Sequence, residues 1–233
     1  MIFKQIKTGA VVLPLLVIAF AAGAADLGRS GYKNGRSMTA DSSGSGFYVG
    51  INGGYGWGAS NWASPAISHT PDGWMVGGAI GYNYQLGNVV LGLEGDFGWS
   101  GLKGSATCGA FTCEVKNDWL GTVRGRLGYA VNRFLPFVTG GGAYGNIKAS
   151  STNPAAAGAS SSQFGWVAGG GIEYAMHDNW SLKLEYLYVD LGSFNCGVAC
   201  SVGITTNNVS FSQNIFRAGL NYHFTSGPVS SRY

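Results

Sequence analysis

The sequence predicts an all-β chain in which eight antiparallel strands of about ten residues close into a transmembrane barrel. Three observations lead there. Eight stretches alternate between an apolar face and a small or polar one, and the segments joining them are alternately long and short. Beyond the N-terminus, no stretch has the continuous apolar length of a spanning helix.

The composition points the same way. Charged residues make up 11% of the chain and glycine fills 40 of its 233 positions, whereas a soluble domain carries about a quarter charged residues and roughly 7% glycine. Glycine does not recur at every third position and there are only 6 prolines, which excludes a collagen-like helix. Trp, Tyr and Phe together number 31, which excludes a disordered chain.

The N-terminus reads as an export signal. Lys4 and Lys7 precede an apolar run from Ala10 to Ala22, and Gly23, Ala24 and Ala25 offer a small-residue cleavage site before Asp26. The run is too short to span a bilayer as a helix. The expected organisation is a signal peptide over 1–25, a flexible periplasmic leader over 26–45, a barrel over 46–224 and a short extension over 225–233. Cleavage removes two of the 14 basic residues and none of the 11 acidic ones, leaving 12 against 11. A nearly neutral chain argues against nucleic acid as a partner.

The first strand sets Phe47, Val49, Ile51, Gly53, Tyr55 and Trp57 against Tyr48, Gly50, Asn52, Gly54 and Gly56. Successive strand side chains point to opposite sides, so this segment has one apolar face and one small or polar face. The second strand sets Trp74, Val76, Gly78, Ile80, Tyr82 and Tyr84 against Met75, Gly77, Ala79, Gly81 and Asn83. In the third, Val89, Leu91, Leu93, Gly95, Phe97 and Trp99 oppose Val90, Gly92, Glu94, Asp96 and Gly98. The fourth has Trp119, Gly121, Val123, Gly125, Leu127 and Tyr129 opposite Leu120, Thr122, Arg124, Arg126 and Gly128.

The fifth strand, near Leu135 to Tyr144, is blurred by Pro136 and Gly140-Gly141-Gly142; Leu135, Phe137, Thr139, Gly141 and Ala143 can share a face. The sixth sets Phe164, Trp166, Ala168, Gly170, Ile172 and Tyr174 against Gly165, Val167, Gly169, Gly171 and Glu173. The seventh sets Trp180, Leu182, Leu184, Tyr186 and Tyr188 against Ser181, Lys183 and Glu185. The last sets Phe216, Ala218, Leu220, Tyr222 and Phe224 against Arg217, Gly219, Asn221 and His223.

Long polar connections are expected over 58–73, 100–118, 145–163 and 189–214, and short turns over 85–88, 130–134 and 175–179. Long outer loops with tight periplasmic turns mark outer-membrane barrels. Trp57, Trp74, Trp99, Trp119 and Trp166 fall at the loop ends of their strands. Tyr82, Tyr84, Tyr129, Tyr174, Trp180, Tyr222 and Phe224 fall near the turn ends. The grouping predicts two interfacial aromatic girdles.

The strand charges are Glu94, Asp96, Arg124, Arg126, Glu173, Lys183, Glu185 and Arg217, all on the polar face. Four acids and four bases can neutralise one another inside a narrow barrel. A lipocalin-like barrel would show the reverse, an apolar interior and a charged exterior. A soluble sandwich would need a surface richer in charge than glycine and alanine. A closed barrel leaves no strand edge unpaired in lipid.

Other constellations read as structural. Gly140, Gly142 and Gly145 spell GxGxxG, but the Ser/Ala-rich stretch after them is not the helix that a dinucleotide site needs. Glu94 and Asp96 share a strand face as a carboxylate pair could, and Arg124 and Arg126 are expected opposite them as charge partners. His69 in a loop, His177 in a turn and His223 in the last strand form no ligand set or triad. No GxSxG elbow occurs. The reading is of a non-enzyme without cofactor or metal.

Cys108 and Cys113 lie in the second long connection, Cys196 and Cys200 in the fourth. Export through an oxidising compartment predicts disulfides. The spacing suggests local pairs, Cys108–Cys113 and Cys196–Cys200; crossed pairs and a four-cysteine metal site are the alternatives.

Five segments carry a resemblance: GFYVGINGGYGWG at 46–58, LGLEGDFGWS at 91–100, GTVRGRLGYAVNRFLPFVTGGGAYG at 121–145, WSLKLEYLYVDLG at 180–192 and NIFRAGLNYHF at 214–224. In these the chain resembles the small outer-membrane immunogenic or porin-like proteins of alphaproteobacteria, distant relatives of the OmpA membrane domain. The resemblance implies an integral protein of the Gram-negative outer membrane, exposed to host or environment, with porin activity in some members. It also implies a terminal-strand signal for the outer-membrane assembly machinery. Phe224 matches that signal, although TSGPVSSRY follows it.

The expected function is therefore structural: a surface protein that stabilises the envelope and displays loops, surrounded by outer-membrane lipid and lipopolysaccharide. A narrow pore for ions or small solutes is the alternative, and adhesion through the loops to a host or environmental ligand is a third. Eight strands leave an interior that side chains can fill, which argues for a plugged barrel.

Overall fold

The computed structural model describes residues 45–62, 67–108, 111–152, 158–176, 179–195 and 208–224. The expected signal peptide, leader and C-terminal extension lie outside them. Nine strand segments are seen: β1 (Gly46–Trp62), β2 (Ile67–His69), β3 (Asp72–Leu86), β4 (Val89–Cys108), β5 (Phe111–Tyr129), β6 (Phe134–Ser151), β7 (Ala159–Ala175), β8 (Trp180–Asn195) and β9 (Asn208–His223). β1 and β3 to β9 pair antiparallel with their chain neighbours, and β1 also pairs with β9 from Tyr48↔His223 to Trp62↔Val209. The eight-stranded barrel is thus closed. β2, which contains His69, pairs with the far end of β1.

The alternation sets which side faces lipid. On β1, Phe47, Val49, Ile51, Tyr55 and Trp57 point outward and are exposed, while Tyr48 is fully buried. An apolar exterior is stable where the solvent is hydrocarbon, and closure leaves each backbone N–H and C=O a ladder partner. Aromatic pairs ring both ends of the outer wall: Phe97 with Trp99 and Trp119, and Trp166 with Tyr188, at one end; Phe47 with Tyr82, Phe134 with Tyr174, and Trp180 with Tyr222 at the other. At the turn end, Leu86 and Val89 pair across a two-residue hairpin loop. Gly87 there has φ 60°, a value glycine takes without strain and such loops require.

One expectation needs correction. The long connections are largely strand: β4 runs to Cys108 and β5 starts at Phe111, so the segment expected as a loop over 100–118 is almost wholly a hairpin. β6 and β7 likewise run to Ser151 and from Ala159, and β8 and β9 to Asn195 and from Asn208. The cause is an inversion of the pattern above the outer girdle. Within the membrane the apolar side chains point out. Beyond it Leu102, Val115, Ile147, Ala149, Leu191 and Phe211 point in and are buried, because the surroundings there are water. One register shift lies between Trp99 and Leu102, another between Lys116 and Leu120, and a third between Asp190 and Ser193. Such bulges shift a strand's parity: β5 buries Thr122, Arg124 and Arg126 on one side of its shift and Cys113, Val115 and Asn117 on the other.

For the fifth predicted strand, here β6, the structure adds the direction that the sequence left open. Leu135, Phe137, Thr139 and Ala143 share a face, and it is the interior one. Phe134, Val138 and Tyr144 face lipid. Pro136 and the glycines weaken the outward face, so its apolar content did not reveal its direction.

Candidate functional site: the barrel interior

The interior is built in two tiers. The tier toward the turns holds the ionisable residues. β4 contributes Glu94 and Asp96, β5 Arg124 and Arg126, β7 Glu173, β8 Lys183 and Glu185, and β9 Arg217, each at most 9% exposed. They reach the lumen because they occupy alternate positions of strands whose other face is apolar.

Arg124 is the hub. Its Nη1 donates to Glu185 at 2.7 Å, its Nη2 to Glu94 at 2.5 Å and to Asp96 at 2.8 Å, and its Nε to the Thr122 hydroxyl at 2.9 Å. Arg217 completes the group, donating through Nε to Glu185 at 2.8 Å and through Nη1 to Asp96 at 3.1 Å. The Lys183 ammonium meets the second Glu94 oxygen at 2.6 Å. Buried charges are tolerated only when paired and hydrogen-bonded in this way. The bonds link β4, β5, β8 and β9 across the lumen.

Arg126 departs from its expected place. It stands opposite Gly92, whereas Arg124 stands opposite Glu94. Its guanidinium bonds Glu173 at 2.7 Å and lies 4.3 Å from the Phe137 ring centroid. The Tyr48 hydroxyl bridges it to Glu94, accepting from Arg126 at 3.4 Å and donating to Glu94 at 2.6 Å. Tyr48, Ser181 and Asn221, uncharged residues of the same polar faces, also join the lumen network.

His223 also gains partners. Its Nε2 lies 3.0 Å from the Ser181 hydroxyl and 3.2 Å from Glu173. Serine, histidine and glutamate thus come together, but not as a catalytic triad. The Ser181 hydroxyl donates to Glu173 at 2.5 Å, and both neighbours sit on the same ring nitrogen. A triad needs the acid on the nitrogen opposite the serine. All three are also buried. The sequence hides this group because its members lie on β7, β8 and β9 and meet only through the pairings Glu173↔Lys183 and Ser181↔Asn221.

The tier toward the hairpins is mainly apolar, with Ser60, Asn117 and Gln213 buried among its side chains. Met75, Leu102, Val115, Leu120, Ile147, Val167, Leu187, Val189, Leu191, Phe211 and Ile215 form one buried cluster across the lumen. An open water-filled pore has a polar lining throughout. Here a charged tier and an apolar tier lie in series.

The remaining sites are placed as follows. Cys113 is buried at 2% and is not a free thiol. The Cys108 side chain, Cys196 and Cys200 lie outside the described residues, as does His177, and no disulfide between two described side chains is seen. The expected pairings therefore stand as proposals. No group of three His, Cys, Asp or Glu suited to a metal occurs among the described residues. Phe224 points outward and its N–H donates to the Phe47 carbonyl at 3.0 Å, continuing the β1–β9 seam.

Comparison with known proteins agrees with this architecture. Residues 12–224 match the family model described as "Outer membrane protein beta-barrel domain". The chain is 40% identical over 202 residues to the 31 kDa outer-membrane immunogenic protein of Brucella melitensis, covering 77% of this chain and 83% of that one. It is 36% identical over 179 residues to the 25 kDa outer-membrane immunogenic protein of the same organism, covering 77% and 78%. To the 22 kDa outer membrane protein of Rhizobium leguminosarum bv. viciae it is 38% identical over 150 residues, 64% of each chain. The chain, a closed eight-stranded barrel of the Gram-negative outer membrane, belongs to the outer membrane protein β-barrel domain family, with relatives among the outer-membrane proteins of Brucella and Rhizobium.

Proposed function

We propose that the protein is a closed structural barrel that stabilises the outer membrane and holds rigid β-hairpins above its surface. The observation that carries this reading is the two-tier filling of the lumen. A solute would have to part ion pairs centred on Arg124 and then cross the apolar cluster around Leu187 and Ile215. The hairpins support the display role. They are paired strand beyond the outer girdle and enclose an apolar core, so what they present to the exterior is a fixed surface.

Deleting the gene tests this function. The expected result is an outer membrane more permeable to bulky hydrophobic dyes and more sensitive to detergent, with uptake of small hydrophilic solutes unchanged. Slower uptake of small solutes with an intact detergent barrier would instead assign a transport role.

A further inference from the structure

The outer wall just beyond the aromatic girdle carries a groove of about 620 Å³ whose lining includes Tyr55, Asp72, Trp74, Lys103, Lys116 and Asp118. Two irregularities of the sheet open it. The β3–β4 ladder pairs Asp72↔Lys103 and resumes only at Met75↔Ser100, and β5 shifts register between Lys116 and Leu120. The outward Trp74 indole lies across the gap, close enough that a β-carbon on Gly101 would meet its Nε1 at 2.7 Å.

Beside the groove runs a row of like charges. Lys103 stands opposite Lys116, and Lys116 opposite Lys148, on three consecutive strands. Like charges directly opposed on a sheet destabilise it unless compensated. Lys116 has Glu114 at 3.1 Å and Lys148 has Asp118 at 2.6 Å, both as exposed pairs. Lys103 has no ion pair among the described residues, and Asp72 opposite it accepts a hydrogen bond from the Tyr55 hydroxyl.

The acids facing the row are Asp72, Glu114 and Asp118, so the patch is not simply cationic. The mixture selects its ligand: ammonium groups for phosphate, carboxylates for sugar hydroxyls, and Trp74 and Tyr55 as apolar faces for a sugar ring. Its height also selects. It lies immediately beyond Trp74, Trp99 and Trp119, where an outer-leaflet glycolipid has its headgroup.

We propose that this groove binds the phosphorylated glucosamine headgroup of outer-leaflet glycolipid, with Lys103 and Lys116 on a phosphate and Trp74 and Tyr55 against the sugar. The proposal rests on the reading that the hairpin end of the barrel faces outward. A lipid held there would couple the barrel to the leaflet it strengthens.

The test uses the full refolded mature chain in detergent, with bisphosphorylated lipid A and its enzymatically dephosphorylated form as probes and lipid retention read by native mass spectrometry. Folding of each sample is checked by the heat-dependent gel shift of closed barrels. The wild type should retain the phosphorylated form about tenfold more tightly. The double variant Lys103→Gln/Lys116→Gln should lose that preference and keep the gel shift, whereas Lys103→Arg/Lys116→Arg should restore it. Equal retention of both lipids by the wild type overturns the proposal, as does an undiminished preference in the glutamine variant. Displacement of the lipid by inorganic phosphate alone would also overturn it, by showing a simple anion site. A wild type without the gel shift would refute the barrel reading itself, a different failure.

Discussion

Replacing Arg124 with methionine removes the one side chain that, among the described residues, hydrogen-bonds three carboxylates. Methionine approximates the length of the arginine stem, so the chief loss is the guanidinium. The interior then carries four acids against three bases, with Glu94 left to Lys183 and, at 4.0 Å, Arg217, and with Asp96 and Glu185 left to Arg217. Breaking a buried ion pair by removing one partner costs about 3–5 kcal/mol, because the abandoned charge stays buried. The lower half of that range applies here, since each carboxylate keeps at least one cation, and about 3 kcal/mol is expected. Adding Glu185→Gln restores the balance of charge, as Arg217 can then serve Asp96 and Lys183 can serve Glu94. The double variant should recover about 1–2 kcal/mol of the loss, a coupling typical of groups sharing one network. The assay is reversible urea unfolding of the barrel in lipid vesicles, followed by tryptophan fluorescence, for wild type, both single variants and the double variant. A cost below about 1 kcal/mol for Arg124→Met, with purely additive effects, would show that the network does not hold the lumen together.

Three further outcomes follow. Leu187, fully buried in the apolar tier, should cost about 2–4 kcal/mol on Leu187→Ala in the same unfolding assay; an unchanged midpoint would mean that this tier is not packed. Gly54→Ala should slow or block formation of the heat-shifted species, because its β-carbon would lie 2.2 Å from the Phe216 carbonyl oxygen and 2.7 Å from the Arg217 Cα on the closing seam, whereas Gly125→Ala meets nothing nearer than 3.9 Å and should fold normally. Val123→Arg, on the lipid face, should destabilise the barrel by about 2–4 kcal/mol, while Ser105→Arg on the exposed hairpin wall should be nearly neutral; equal costs at both positions would misplace the membrane.

The strands were legible in the sequence wherever the chain is solvated by lipid on one side and packed on the other. Phe47 to Trp57 and Val89 to Trp99 alternate cleanly because each residue's environment is uniform along the span. The same rule hid the hairpins. Leu102 and Phe211 obey an alternation of opposite sense, and the extra residue near Asp118 in β5 breaks the period where the two senses meet. The identity of the interior charges was legible for a similar reason, since a charge on the lipid face is costly. Their partners were legible only in part. Strand register decides that Arg124 stands opposite Glu94 while Arg126, two positions along, stands opposite Gly92 and turns to Glu173. The sequence holds no local signal for a contact such as Glu94 with Lys183, which joins strands on opposite sides of the lumen. Ser181, with its small hydroxyl, became part of a site only through the neighbours that the register supplied.

Single-channel recording of the refolded barrel in a planar lipid bilayer tests closure of the lumen most directly. With folding verified by the heat-dependent gel shift, the ion-pair tier and the apolar tier predict a silent bilayer. Reproducible conductance steps from the wild-type barrel would contradict the account, and would place a continuous water path through Arg124 and the Leu187 cluster.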